Sequence, residues 1–137
     1  MAGALSNYLE GKFADCALRG VSLTSPGEVF LALFTSDPGE AGGGSEASYS
    51  GYTRVSCGST PSSAFTAIDS NGMTQNGNTI VFPAVGGSSS VTISHWAIFD
   101  AATLGNMLFY GPLTASKTLD PTDVPSFPAN ALKITFD

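Results

Sequence analysis

The stretch Ser90-Val91-Thr92-Ile93-Ser94-His95-Trp96-Ala97-Ile98-Phe99-Asp100 decides how the rest of this chain is read. In an extended chain Val91, Ile93, His95, Ala97 and Phe99 fall on one side, and Thr92, Ser94, Trp96, Ile98 and Asp100 on the other. A strand repeats every two residues, so one face is largely apolar and the other starts polar and turns apolar at Trp96. The pattern predicts a central strand whose later half is covered on both sides. The chain's single Trp and single His stand side by side in it.

Outward from this stretch, other short runs carry strand signals. Val29 to Thr35 is apolar at nearly every position and punctuated at both ends, which fits a strand buried on both faces. Tyr52 to Cys57 alternates, Ile80 to Phe82 is short and ends at Pro83, and Met107 to Gly111 sits close enough to the central stretch for a hairpin, with Pro112-Leu113-Thr114 closing it. Val21–Thr24, Lys117–Leu119 and Val124–Phe127 read as short extended pieces. Ala131 to Asp137 is the cleanest strand, with Leu132, Ile134 and Phe136 inward and Lys133 and Thr135 outward. Asn71-Gly72 and Asn76-Gly77 are turn dipeptides within the stretch 58–78, which reads as a hairpin or an irregular excursion. Turn signals at this spacing predict an all-β fold, an antiparallel β-sandwich of about seven or eight strands.

The exception is the N-terminus. Leu5, Tyr8, Leu9, Phe13, Cys16 and Ala17 recur at three- and four-residue spacing and predict a helix over 4–19. Ser6 or Asn7 can cap its start, Arg19 complements the dipole in its last turn, and Gly20 suits the left-handed stop. The chain then divides into the helical segment 1–20 and a single β-sandwich domain over 21–137. The helix either packs on its own body or docks on a partner.

Composition narrows the function classes. The 137 residues can bury a sizeable core. Charged residues are only 12% of the chain, about half the usual share. This suits a surface built from hydroxyls, or a subunit that covers itself with neighbours. A net charge of −6 with scattered Lys12, Arg19, Arg54, Lys117 and Lys133 argues against nucleic acid. No run has the length of a membrane span, and the start lacks the basic-then-apolar pattern of a signal peptide. Synthesis and assembly in a cytoplasm are the expectation, with Cys16 and Cys57 as thiols.

No catalytic, metal or cofactor site is expected. His95 is the only histidine, and such a residue on a strand face is more often packed than basic. Its distance in sequence from Cys16 and Cys57 matches no zinc spacing. The Gly/Ser-rich stretch 37–51 lacks the Lys-Ser/Thr of a phosphate loop and the spacing of a calcium loop. Arg54 suits the partner of one of that loop's carboxylates better than a solvated charge. Trp96 with tyrosines could make a sugar platform, but core packing suits it better.

Several segments together resemble one family. They are Leu5-Ser6-Asn7-Tyr8-Leu9-Glu10; Phe30 to Pro38 leading into Glu40-Ala41-Gly42-Gly43-Gly44-Ser45-Glu46 and Gly51-Tyr52-Thr53-Arg54; His95 to Ala101; and Leu108 to Leu113. In this order they resemble small virion proteins of tailed bacteriophages, of the tail fibre or tail-fibre adaptor type, over nearly the whole chain. The resemblance implies a non-enzymatic homo-oligomeric subunit on the virion that links tail fibres to the tail body. Its partners would be tail or fibre subunits, with synthesis in the host bacterial cytoplasm and no nucleic-acid or membrane partner. Tyr8, Leu9, Phe13, Tyr49, Tyr52 and Arg54 are then candidate interaction residues, and His95, Trp96, Phe99 and Asp100 a core signature. Two alternatives stay open. One is a capsid decoration or head-fibre base protein on the major capsid protein. The other is a glycan-binding receptor tip with exposed aromatics around loops 37–51 and 58–78.

Overall fold

The computed structural model describes residues 3–136; Met1, Ala2 and Asp137, the last of which falls in the expected C-terminal strand, lie outside the described residues. In chain order the elements are β1 (Ala4–Leu5), α1 (Asn7–Arg19), β2 (Phe30–Phe34), β3 (Val55–Ser56), α2 (Pro61–Ala64), β4 (Met73–Gln75), β5 (Ile80–Val81), β6 (Val91–Phe99), β7 (Met107–Leu119), β8 (Ser126–Phe127) and β9 (Lys133–Thr135). The protein is all-β with antiparallel pairing and one main helix. A five-stranded sheet runs β1-β7-β6-β2-β3, and two two-stranded ribbons, β4-β9 and β5-β8, supply the facing layer.

The expected central strand is β6, in the middle of the sheet. Its neighbour β2 shows why both are apolar on both faces. Leu31 lies opposite Ile98 and Leu33 opposite Trp96, and these four pack toward the ribbons with Ile80, Phe82, Val85, Leu132 and Ile134. Ala32 opposite Ala97, with Phe34, Phe99 and Met107, forms a second cluster on the reverse face. Trp96 is fully buried, and its indole N–H has no hydrogen-bond partner among the described residues.

The single alternation expected for residues 90–100 does not hold. Register slips between Ile93, opposite Lys117, and His95, opposite Pro112. This irregularity at Ser94 shifts the phase by one residue, as a bulge does. Ile93 therefore joins Trp96 and Ile98 in the main core, while Ala97 and Phe99 face the other way. The change of character at Trp96 was the trace of this slip. Pro112 does not close β7 either: the strand continues to Leu119, since a proline is tolerated beside an irregular stretch.

Other boundaries shift for local reasons. The helix starts at Asn7, not residue 4, because Ala4–Leu5 pair with Phe109–Tyr110 at the sheet edge. Buried Ser6 makes the break: its Oγ accepts from Leu9 N at 3.2 Å, as an N-cap, and donates to Met107 O. Gly20 ends the helix with φ 68°, and its N–H reaches Asp15 O. The expected strand over 21–24 pairs with no other strand among the described residues and runs as an irregular strap after the helix. Only Val55–Ser56 of the 52–57 run pair as strand.

The 58–78 excursion is more ordered than its composition suggested. Thr60 and Ser63 form a reciprocal cap for the single turn of α2, with Pro61 at its start. Asn76 is fully buried. Its Nδ2 donates to Asn78 O at 2.8 Å and Pro128 O at 2.9 Å, and its Oδ1 accepts from Leu132 N at 2.8 Å. One side chain thereby ties the β4 and β9 segments together.

Candidate interaction surface

The helix meets the body mainly through β1 and β7. Within it only Leu9 is buried. Tyr8 and Phe13 stay 40% and 41% exposed, and Leu18 is 84% exposed. Past Gly20, Val21 and Leu23 are also exposed. Between helix and strap lies a groove of about 520 Å³ bordered by Tyr8, Phe13, Leu23 and Pro26, with Leu108 and Phe109 also lining it. The Lys12 ammonium sits 5.5 Å from the centre of the Tyr8 ring. An apolar surface of this kind, left open beside a finished core, is a mark of interaction sites.

The remaining candidate residues are held within the body. The Arg54 side chain is only 9% exposed and grips Glu46 with two bonds of 2.9 Å, from Nε to Oε1 and from Nη2 to Oε2. Its Nη1 donates to Ala101 O at 3.0 Å and Leu104 O at 2.7 Å, while the guanidinium lies 3.6 Å above the Phe99 ring. Such a fork is the geometry that arginine provides and lysine cannot. Tyr52 donates to Glu46 Oε1 at 2.8 Å and accepts from Leu33 N at 3.1 Å. With the backbone bond from Ala47 N to Leu33 O at 2.8 Å, this satisfies β2 where β3 no longer flanks it. Burial raises the Tyr52 hydroxyl far above its ordinary value, outweighing the Leu33 bond that opposes it. Tyr49 packs edge-on against Tyr52 at 5.3 Å and donates to Pro83 O at 2.9 Å.

The turn after β6 is fixed from both sides. Asp100 accepts from Asn106 N at 2.7 Å and Asn106 Nδ2 at 2.9 Å, and Arg54 holds the two carbonyls across the tip. Leu104 is thereby presented 87% exposed and with φ 54°, a conformation unusual for leucine. Leu18, Val21, Leu23 and Leu104 were not among the candidates. For Val21 and Leu23 the signal was an apolar alternation directly after a helix stop; for Leu104 there was none.

His95 accepts or donates a 2.8 Å bond at Nδ1 with Ser94 Oγ, and its Nε2 is 3.9 Å from Asp37 Oδ1. It lines neither the helix groove nor the groove of similar size beside β7. Cys57 is buried and Cys16 exposed, both as free thiols. Among the described residues no cluster of three or more His, Cys, Asp or Glu is placed to hold a metal, and no helix is long and apolar enough to cross a membrane.

Residues 4–135 match a family model described as Gp80, podophage GP4 fiber I protein gp80. No curated protein matches the chain.

Proposed function

The chain belongs to this family of podophage fibre proteins, and from that premise we propose that it acts as a tail-associated adaptor joining fibres to the tail body. A phage structural protein of this kind associates with other virion proteins, and its family suggests a non-enzymatic role. The adaptor reading rests on the helix: the core is complete without Tyr8, Phe13, Leu18, Val21 and Leu23, which stay open to solvent on one contiguous element and its strap. Polar side chains elsewhere are engaged with one another, as in the partly buried Arg54–Glu46–Tyr52 group, which suits a body that is rigid rather than reactive. Docking through the helix and strap then leaves the sandwich unchanged.

The test is a phage carrying Tyr8→Ser with Phe13→Ser. The proposal expects the purified variant to fold as the parent does by circular dichroism, and the variant virions to be depleted of fibres by quantitative mass spectrometry. Virions with a full complement of fibres would contradict it. A copy number that follows the capsid lattice would favour a capsid decoration protein instead.

A further inference from the structure

We infer that Asn71 is a site of spontaneous deamidation, and that its conversion loosens the ribbon formed by β4 and β9. The chain holds two Asn-Gly dipeptides, and the fold treats them in opposite ways. Asn71 is exposed, and its carboxamide makes no hydrogen bond among the described residues; only its backbone N–H is engaged, with Asp69 Oδ1 at 2.8 Å. Gly72 has no side chain to shield its nitrogen, which is held by a single bond of 3.1 Å to Asp69 O. Asn76 is fully buried with both ends of its carboxamide bonded, and Gly77 N is held by Ala64 O at 2.8 Å.

The chemistry needs only water. The Gly72 backbone nitrogen loses its proton and attacks the Asn71 side-chain carbonyl carbon. The C–N bond of the carboxamide breaks, and ammonia leaves with the proton, giving a five-membered succinimide. Water then opens either carbonyl of that ring. One opening yields Asp; the other yields isoaspartate, in which the main chain runs through the former side chain and is one methylene longer.

This turn has little room for such a change. Gly72 has φ 75°, and a Cβ placed on it would collide with Phe136 O. Gly72 O also accepts from Phe136 N at 2.8 Å, which closes the end of the β4-β9 pairing. A longer backbone at residue 71 displaces that closure, and the new carboxylate stands beside Asp69. A virion protein is not resynthesised once the particle has left the cell, so such a change accumulates with storage.

The full chain is aged in warm, mildly alkaline buffer and mapped by peptide mass spectrometry, with isoaspartate detected by enzymatic methylation. The expected result is that the peptide holding Asn71 shows the ammonia-for-water mass change at least about tenfold faster than the peptide holding Asn76, whose reaction waits on local opening. After denaturation the two rates should converge, and Asn71→Gln should remove the early conversion. Equal rates in the folded protein, or first conversion elsewhere, would overturn the site assignment. Hydrogen exchange on the aged fraction should show faster exchange at β4 and β9 than in the fresh protein; unchanged protection there would overturn the loosening.

Discussion

Arg54 carries more of the local structure than any other charged residue. It neutralises Glu46, holds two carbonyls of the Leu104 turn and covers Phe99. Arg54→Ala leaves a carboxylate without its partner, and should cost about 2–3 kcal/mol in urea unfolding, somewhat below a fully buried pair because Glu46 keeps some exposure. Asn76→Asp sets a carboxylate against the carbonyls of Asn78 and Pro128, and should cost about 2–4 kcal/mol in the same measurement. Burial first, then the charge of Glu28, pushes the Cys57 thiol from its ordinary 9.0 up to about 12. In neutral buffer an alkylating reagent should therefore label Cys16 alone, and Cys57 only after unfolding. The folded thiol holds its proton to higher pH than the unfolded one. Its contribution to stability is thus complete below pH 9.0 and lost as pH rises toward about 12. Tyr52, raised by burial, adds loss in the same direction above its ordinary 10.0, so melting temperature should fall on the alkaline side.

Among the elements, strands and caps set by their own pattern were legible, and pairings set by distant partners were not. The double-faced apolar run of β2 and the caps of α1 follow from local chemistry, so both could be read from the residues alone. The slip at Ser94 depends on how β7 lies against β6, and only the change of character at Trp96 hinted at it. Of the two ribbons, β5, β8 and β9 lie within expected extended runs, whereas β4 and both pairings went unread, because the partners lie far along the chain and no periodicity announces them. Of the candidate site, the helix was visible as an apolar stripe, but which members face water was decided by β1 and the strap. Leu9→Ala should cost about 2–3 kcal/mol, because its side chain is in the core, whereas Phe13→Ser should stay within about 1 kcal/mol. At the turn, Leu104→Gly removes a left-handed leucine without touching the core and should raise stability by up to about 1 kcal/mol by thermal unfolding.

For the molecule as a whole, the described residues form a β body braced by side-chain hydrogen bonds, with a helix and strap at its N-terminal end that leave Tyr8, Phe13, Leu18, Val21 and Leu23 exposed. The sheet edge β1 and the helix belong to the same N-terminal segment, and β1 pairs with β7, which in turn pairs with the central strand. That is a suitable arrangement for a fibre-family subunit held to its neighbours. Lys12 offers a probe, since its ammonium lies beside Tyr8, one of the residues that line the open groove. The most direct measurement is amine cross-linking of intact, washed virions followed by mass spectrometry of the peptide that holds Lys12. The account predicts cross-links from Lys12 to a different virion protein, lost in the Tyr8→Ser, Phe13→Ser variant. Lys12 linked only within its own chain, or the protein absent from washed particles, would contradict it.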